Sequence, residues 1–438
     1  MRKLLKGARI LDPARSLSEI LDIEIRDGTI ARIARDLSPQ DCEVIDLTGL
    51  VLCPGFVDMH THLREPGQED KETLETGLRA AARGGFVAVA CMPNTAPPLD
   101  QRASVEYVIR RGLQIGLSRV FPVASVSKMQ KGEELAELGD LAEGGAVAFS
   151  DDGKPVSRAE LMRRALEYSR MLDRPIISHC EDLTLSAGGA MNEGYLCTKM
   201  GLRGIPKAAE EVMVARDIIL AETTRARLHF AHISTRRSVE LVRDGKARGV
   251  SITAEVTPSH LILTEEAVSG YDTNAKVNPP LRTADDVDAL RQGLKDGTLD
   301  VIATDHAPHT REDKEKEFAY APFGISGLES AVSLLLTELV GRGVLSLEEL
   351  ILKLSTNPAR ILRLHFGGIQ EGSSADFTVL DLEKEATIDT GTFQSKGRNS
   401  PFHGWKTKGA PVLTCVQGNF VWGEVTRDSR PARSPVMV

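Results

Sequence analysis

The chain of 438 residues is long enough for a barrel of about 250 residues together with a smaller domain. Hydrophobic residues make up 41% of it and charged residues 26%, which excludes a disordered or fibrous protein. The 54 basic and 62 acidic side chains give a net charge of -8 without a block of like charges. Nothing in this charge pattern indicates a surface that binds nucleic acid, and no nucleic-acid partner is expected.

Neither disulfides nor targeting segments are expected. The six cysteines are scattered and form no Cys-x-x-Cys pair, which favours reduced thiols. Lys6 and Arg9 interrupt the apolar character of the first residues, and no apolar stretch reaches the ~18 residues of a membrane span. We therefore expect a cytoplasmic protein that has no membrane partner.

Residues 1–55 are predicted to form a small β unit. Leu21, Ile23 and Ile25 alternate with acidic residues, as in a half-buried strand. Asp27-Gly28 follows between apolar runs, and this dipeptide is a strong hairpin signal. The chain therefore begins with antiparallel strands.

From residue 56 onward, short apolar runs alternate with longer segments of helical period, which is typical of parallel strands joined by crossover helices. Eight such runs predict a (β/α)8 TIM-like barrel, with an open doubly wound sheet as the alternative. The runs are Gly55–Met59, Phe86–Cys91, Val120–Ala124, Ala146–Ser150, Pro175–Ser178, Leu228–Ile233, Ser251–Val256 and Asp300–Thr304.

Strand patterns return in the last part of the chain, at Phe377–Leu380, Val412–Val416 and Asn419–Trp422. The β unit is therefore expected to be split between both ends of the chain. We predict a composite β-sandwich domain of residues 1–55 plus 365–438. Residues 56–364 are predicted to form the barrel.

The strongest chemical signal follows the first barrel run. Residues i and i+2 of a strand face the same side, so His60 and His62 project toward one point, as two ligands of one metal ion must. Solvated loop histidines are the alternative. His179, His232 and Asp305 end three further runs at the face where barrel enzymes place their sites. This nitrogen and oxygen donor set suits Zn²⁺ best, with Mn²⁺, Co²⁺ or Fe²⁺ as alternatives.

Several segments resemble blocks of the amidohydrolase superfamily, and within it of the dihydroorotases that have an aspartate as the bridging metal ligand. They cover nearly the whole chain. The resemblance implies a metal-dependent cyclic amidohydrolase that interconverts N-carbamoyl-L-aspartate and (S)-dihydroorotate in de novo pyrimidine (UMP) biosynthesis. The segments are Pro54–Arg64, Met92–Thr95, Ser150–Gly153, Ser178–Glu181, Val277–Arg282, Ala303–His309 and Pro322–Ile325.

The same resemblance implies a centre of up to two Zn²⁺ ions per chain. His60, His62 and Asp305 would hold one ion, and His179 and His232 would hold the second. Asp305 would also be the catalytic residue, because its carboxylate can accept a proton from the nucleophile and deliver it to the leaving amide nitrogen.

A ligand that bridges the two ions is expected from the fourth strand run. Many relatives have a carboxylated lysine there, but Ala146–Ser150 contains no lysine, and Lys154 comes too late to reach inward. An aspartate must serve instead. Similarity to the family pattern selects Asp152, with Asp151 as the alternative.

Arg64 lies two positions after His62 and offers a forked donor to a carboxylate, although a surface arginine is the alternative interpretation. The resemblance makes Arg64 the partner of the carboxylate of dihydroorotate. Neutral cyclic ureides such as hydantoins need no such arginine. The full set of substrate-binding residues implied by the resemblance is His62, Arg64, Asn94, Asn278, His309, Phe323 and Gly324.

Residues 183–204 contain five glycines and no clear period. A connection of this length is usually reserved for a lid, and a disordered insertion is the alternative.

Two rival functions remain open. A hydantoinase- or allantoinase-type enzyme is disfavoured by the missing lysine and by Arg64. A non-catalytic scaffold for aspartate carbamoyltransferase is disfavoured by the intact histidines, since a scaffold needs no metal ligands. A small-molecule substrate is expected, and the sequence leaves a homodimer and an association with aspartate carbamoyltransferase open.

Overall fold

The computed structural model describes residues 2–39, 42–366 and 368–423. Its strands are β1 (Arg2–Asp12), β2 (Leu17–Arg26), β3 (Thr29–Ala34), β4 (Glu43–Asp46), β5 (Val51–Pro54), β6 (Phe56–Thr61), β7 (Phe86–Cys91), β8 (Arg119–Ala124), β9 (Ala148–Phe149), β10 (Ile176–Ser178), β11 (Met191–Asn192), β12 (Gly204–Ile205), β13 (Leu228–Phe230), β14 (Ile252–Val256), β15 (Val301–Ile302), β16 (Phe377–Thr387), β17 (Lys406–Val416) and β18 (Asn419–Gly423).

The helices lie mostly between the strands of the central part. They are α1 (Leu74–Arg83), α2 (Arg102–Ile115), α3 (Leu138–Glu143), α4 (Ala159–Leu172), α5 (Leu183–Ser186), α6 (Tyr195–Met200), α7 (Ala208–Thr224), α8 (Arg236–Ala247), α9 (Pro258–Ile262), α10 (Ala284–Lys295), α11 (Arg311–Lys314), α12 (Ala331–Leu335), α13 (Leu347–Ile351) and α14 (Asn357–Ile361). None of the helices in the described ranges has both the length and the apolar character that a membrane span requires.

Eight parallel strands form the barrel, in the order β6, β7, β8, β9, β10, β13, β14 and β15. Each of them falls within or overlaps one of the eight predicted apolar runs. The first and last strands meet where Thr61 bridges His306 in parallel and where the His62 N–H donates to His306 O at 2.8 Å. The predicted barrel is therefore confirmed, and the alternative of an open sheet is wrong.

Helix α1 illustrates how the crossovers are built. It begins at a capping box in which Thr73 Oγ1 accepts from the Thr76 N–H at 3.1 Å, which satisfies an otherwise unpaired donor of the first turn. Leu74, Leu78 and Ala81 lie on its buried face and contribute to the main core. Burial of one apolar face against the strands stabilises a helix far more than its intrinsic propensity does.

The second large sheet combines both ends of the chain. Its order is β18, β17, β16, β5, β1, β2 and β3, and β4 also pairs with β1. Strand β5 joins the two halves because it pairs antiparallel with β16 and parallel with β1. The sheet has its own core, which includes Leu5, Ile10, Ile23 and Phe377. A barrel with a small β-sandwich domain from both termini is therefore confirmed. Residues 424–438 of the predicted domain lie outside the described residues.

The connection between β16 and β17, residues 388–405, reaches the carboxyl end of the barrel. Asn399 Nδ2 donates to Ala307 O at 3.0 Å and to Gly324 O at 2.9 Å. Asn399 Oδ1 accepts from the His309 N–H at 3.0 Å. The C-terminal part of the chain therefore fixes two loops that lie at the barrel mouth, a contact that no pattern in the sequence predicts.

Residues 183–204 are folded, unlike the disordered insertion considered above. They contain α5 and α6, and β11 pairs with β12 in a two-stranded parallel sheet. The buried Arg282 ties this insertion down, because its Nη1 donates to Asn192 Oδ1 and to Ile205 O, both at 2.8 Å. The lid movement itself stays a prediction.

Candidate active site

The first histidine pair meets Asp305 at the carboxyl end of the barrel. His60 lies in β6 and His62 directly follows this strand. Asp305 Oδ1 lies 3.0 Å from His62 Nε2 and 3.5 Å from His60 Nε2. Ligand atoms about 2.0 to 2.2 Å from a tetrahedral ion are separated from one another by about 3.3 to 3.6 Å. The three side chains thus form a group that could hold a metal ion.

A second group lies beside the first. His179 Nδ1 lies 2.9 Å from His232 Nε2, and each of these nitrogens is 3.4 Å from Asp152 Oδ1. The same carboxylate reaches the first group, since its Oδ1 is 3.5 Å from His60 Nε2 and its Oδ2 is 3.4 Å from His62 Nε2. Asp152 is therefore placed between the two groups, where a bridging ligand would stand.

Asp151 has a different environment. Its Oδ1 accepts from the Val126 N–H at 2.8 Å and the Ser127 N–H at 3.1 Å, and its other oxygen accepts from the Ser127 hydroxyl. These bonds hold the loop after β8. Lys154 is exposed and does not enter the cluster. Of the two aspartates considered from the sequence, only Asp152 faces the histidines.

Three histidines are oriented by partners on the side away from the cluster. His60 Nδ1 donates to Glu255 Oε1 at 2.5 Å, and His179 Nε2 donates to Glu181 Oε2 at 3.0 Å. His62 Nδ1 donates to Asn94 Oδ1 at 2.9 Å. When the ring is neutral, each bond leaves the lone pair of the other ring nitrogen directed at the cluster, as metal ligation requires.

Sequence reasoning missed Glu255 and Glu181 as partners of these histidines. Glu255 also accepts from His229 Nε2 at 3.1 Å, and Glu181 also accepts from Asn278 Nδ2 at 2.9 Å. A signal was present for Glu255, because it is the acidic residue of the otherwise uncharged strand β14. Buried carboxylates are rare unless they have partners.

Two atoms of the cluster test whether a metal ion fits. Among the described residues, His60 Nε2 and Asp152 Oδ1 are buried without a hydrogen-bond partner. Leaving a polar atom in this state costs about 1 to 3 kcal/mol, so such atoms are uncommon in folded proteins. Both atoms belong to the predicted donor set. A divalent cation would satisfy them, and the residues present therefore fit one.

The electrostatics of the cluster favour positive charge. Burial disfavours the charged form of His60, but Asp152, Glu255 and Asp305 raise its pKa well above the ordinary value. Burial likewise disfavours the ionised form of Asp152, but His60, His179 and His232 hold its pKa well below the usual range. Buried carboxylates that draw protons onto histidines in this way also attract a metal ion.

Three of the predicted site residues other than glycine have left-handed backbone, with φ of 63° at Arg64, 30° at His232 and 47° at Asp305. Such a conformation costs a residue other than glycine of the order of 1 kcal/mol or more, and it persists where the surroundings impose it. Strain of this kind concentrates at functional sites.

The cluster opens into a cavity of about 300 Å³. Arg64 lies on its wall and is 8% exposed. Its Nε donates to Pro308 O at 3.2 Å, and among the described residues no carboxylate forms an ion pair with its guanidinium group. Burial lowers the pKa of Arg64 to about 10. Its Nη2 lies 3.4 Å from His309 Nε2. With no carboxylate partner among the described residues, the guanidinium group can still bind an anionic ligand.

The other predicted substrate-binding residues also line this cavity: Asn94, Asn278, His309, Phe323 and Gly324. His309 Nε2 donates to Phe323 O at 2.8 Å, and the Gly324 N–H donates to Lys276 O at 2.9 Å. The amide of Gly324 is therefore already paired within the protein. The backbone oxygens of Phe323 and Gly324 each accept one hydrogen bond, from His309 and Asn399 respectively, and each keeps a second lone pair.

Comparison with known proteins decides the family. Residues 49–238 match a family profile described as Dihydro-orotase-like. A curated dihydroorotase of Syntrophus aciditrophicus (strain SB) is 54% identical over 426 residues, which are 97% of this chain and 100% of that relative. This chain belongs to the dihydroorotase family. A second dihydroorotase, of Pelotomaculum thermopropionicum, is 55% identical over 421 residues, or 96% of this chain and 98% of the relative. The resemblance seen in the sequence is confirmed.

Among solved structures, this dihydroorotase-family chain is similar to an L-hydantoinase (dihydropyrimidinase) from Arthrobacter aurescens. The TM-score is 0.85 at 27% sequence identity, and the alignment covers 97% of both chains. The shared fold supports the assignment of both the barrel and the β domain.

Proposed function

We propose that this member of the family is a metal-dependent dihydroorotase that interconverts N-carbamoyl-L-aspartate and (S)-dihydroorotate, a step of de novo pyrimidine (UMP) biosynthesis. One observation carries the proposal. A single cavity has a buried cluster of carboxylates and histidines on one side and Arg64 on the other, and no carboxylate in the described part of the chain pairs with this arginine. Dihydroorotate offers a ring amide to the first side and a carboxylate to the second.

In this proposal His60, His62 and Asp305 would hold one divalent ion, His179 and His232 would hold another, and Asp152 would be a ligand of both. The nitrogen and oxygen donors suit Zn²⁺, and up to two ions per chain are expected. When bound, such ions supply Lewis acidity, which polarises an amide carbonyl and lowers the pKa of a water molecule.

Asp305 is assigned the proton transfers. Burial raises the pKa of its carboxyl group, but His60, His62 and His232 outweigh this effect and hold the pKa below its usual value. The carboxylate is therefore ionised at neutral pH. It can accept a proton from the attacking water and deliver it to the amide nitrogen, which leaves poorly as an anion.

The remaining residues bind and orient the substrate. Arg64 pairs with the substrate carboxylate through charge-assisted hydrogen bonds. Asn94, Asn278 and His309 contact the ring, and His62 lies beside the reacting amide. The free lone pairs of the Phe323 and Gly324 carbonyl oxygens accept from ring N–H groups.

A hydantoinase-type activity is the second candidate, because the similar solved structure is described as an L-hydantoinase. Arg64 argues against it, since a neutral ureide offers no carboxylate to a buried guanidinium group. A non-catalytic scaffold is disfavoured by the same geometry, because it would have no need for two convergent ligand groups.

The deciding experiment combines metal analysis with assays on dihydroorotate and hydantoin, all on one preparation. We expect bound divalent metal, turnover of dihydroorotate and little turnover of hydantoin. Faster turnover of hydantoin than of dihydroorotate would assign the second candidate activity instead.

We also propose a cytoplasmic location, which the six unpaired cysteines support, since disulfides are rare in reducing compartments. A homodimer and an association with aspartate carbamoyltransferase are further proposals, testable by light scattering with and without that enzyme. The division into a β domain of residues 1–55 plus 365–438 and a barrel of residues 56–364 is likewise proposed.

A further inference from the structure

Two buried lysines lie beside the cavity and have no place in the chemistry above. Lys276 comes two residues before Asn278 and is 2% exposed, and Lys314 ends α11 and is 7% exposed. Among the described residues, no carboxylate forms an ion pair with either ammonium group. Burying an ammonium group without an acidic partner is costly, and burial lowers the pKa of Lys276 to about 8 and that of Lys314 to about 7. Other contacts must stabilise the charged form.

Backbone carbonyl groups of one short segment supply these contacts for Lys276. Its Nζ donates to Phe318 O at 2.6 Å, to Ala319 O at 3.1 Å and to Ala321 O at 2.7 Å. All three hydrogens of the ammonium group are therefore used on residues 318–321.

Lys314 binds the next residue of the same segment. Its Nζ donates to Pro322 O at 2.9 Å and also to Thr273 O at 2.9 Å, in the turn that precedes Lys276. The two lysines thus hold consecutive parts of residues 318–322 and connect them to the turn before Asn278. We call Lys276 and Lys314 the ammonium clamp.

The held segment continues directly into the cavity wall. Phe323 and Gly324 line the cavity, and the Gly324 N–H donates to the backbone oxygen of Lys276. The Phe323 ring lies 4.6 Å from Lys276 Nζ, within cation–π distance. His309 is tied to the same segment through Phe323 O. A shift of residues 318–322 would therefore move the wall that faces the metal-ligating cluster.

Residues 318–324 belong to neither a helix nor a strand. Their carbonyl groups therefore lack the regular hydrogen bonds of a helix or sheet. Four of them, those of Phe318, Ala319, Ala321 and Pro322, point at the two ammonium groups instead. Convergent carbonyl dipoles repel one another unless a cation lies between them. The conformation of the segment is therefore expected to depend on the ammonium clamp.

We propose that Lys276 and Lys314 are positioning residues that hold segment 318–324 in the conformation that fits a small cyclic amide bearing a carboxylate. This inference rests on the proposed function for its substrate. The ammonium clamp acts on substrate binding through Phe323, Gly324 and His309, and it does not touch the metal ligands.

The test uses Lys276→Met and Lys314→Met in the full-length, metal-loaded protein. Methionine keeps an unbranched apolar stem but donates no hydrogen bond. We expect the KM for dihydroorotate to rise by about tenfold or more, the equivalent of one lost charge-assisted hydrogen bond. The kcat and the bound metal should stay close to those of the unmodified protein, and hydrogen exchange should become faster in residues 318–324.

Lys353→Met is the matched control. Lys353 is also 7% exposed, and its Nζ donates to the backbone oxygen of Leu299 at 2.5 Å. Leu299 lies two residues before β15, at the amino end of the barrel and therefore away from the cavity. The control variant should leave the KM and the exchange of residues 318–324 unchanged. An unchanged KM in both clamp variants, or an equal change in the control, would overturn the proposal.

Two further measurements keep the test decisive. If a methionine variant does not fold, the glutamine variant of the same position replaces it, because glutamine keeps a neutral donor. A higher KM and faster exchange of residues 318–324 are again expected, and an unchanged KM again overturns the proposal. If the unmodified protein does not turn over dihydroorotate, the proposed function fails. Hydrogen exchange in residues 318–324 then still decides whether the clamp holds the segment.

Discussion

The two sides of the cavity are built in opposite ways. The anionic side consists of side chains at strand ends, where Asp152 and Asp305 contact histidines directly. On the cationic side, Arg64, Lys276 and Lys314 come from loops or a short helix and donate mainly to backbone carbonyl groups. The first side attracts cations and the second attracts anions. This division of charge is what the proposed function needs, since it calls for metal ions and a carboxylate substrate in one cavity.

The largest expected effect tests the anionic side. His179→Ala removes one ligand of the second group, so the protein should lose bound metal together with its activity. Metal analysis and the dihydroorotate assay on one preparation measure both. His403→Ala replaces an exposed histidine of the 388–405 connection and should change neither. Full activity at well below one metal ion per chain would contradict the metal-dependent mechanism.

A second substitution separates ligation from proton transfer on the same side. Asp305→Asn keeps the shape of the side chain and an oxygen for metal contact, but it cannot carry a proton. The kcat should fall by about 10² to 10⁴ while KM changes little, because general acid-base catalysis typically contributes that much. Metal content is the control. A nearly normal kcat with metal bound would assign the proton transfer to another group.

The cationic side is tested by Arg64→Lys. A lysine ammonium group cannot reproduce the forked pair of hydrogen bonds to a carboxylate, so kcat/KM for dihydroorotate should fall by at least about tenfold, or roughly 1.5 kcal/mol. Arg227→Lys, at the opposite end of the barrel just before β13, is the matched control and should have little effect. If kcat/KM does not change, Arg64 does not bind the substrate carboxylate.

The last prediction is a pH dependence of metal binding. Burial disfavours the charged form of His179, but Asp152 and Glu181 raise its pKa to about 10 in the metal-free protein. Metal binding must then expel this proton at neutral pH, together with any proton held by His60, so the affinity should rise by at least about tenfold per pH unit up to that pKa. Chelator competition at several pH values measures this. Glu181→Gln should weaken the dependence, and an affinity that does not vary with pH would refute it.

The anionic side could be predicted from the sequence and much of the cationic side could not. His60, His62, His179, His232 and Asp305 were identifiable because parallel strands bring their carboxyl ends to one face, so a residue at a strand end has a known location. Arg64 was found by its spacing from His62. The roles of Lys276, Lys314 and Asn399 could not be predicted, because these side chains bind backbone carbonyl groups of distant loops. Every residue type has such a carbonyl group, so the sequence does not indicate which one is bound.

The sequence by itself determined the barrel and the candidate metal ligands, since these depend on local periodicity and on side-chain chemistry at fixed strand positions. It also determined the family, through the resemblance of its segments to known blocks. Only the tertiary structure decided that Asp152 faces the histidines and that Asp151 holds a neighbouring loop, because adjacent residues point in different directions once the chain leaves a strand. It also decided that a C-terminal connection and two buried lysines shape the cavity. Such contacts join residues far apart in the chain, and they depend on packing that no local pattern encodes.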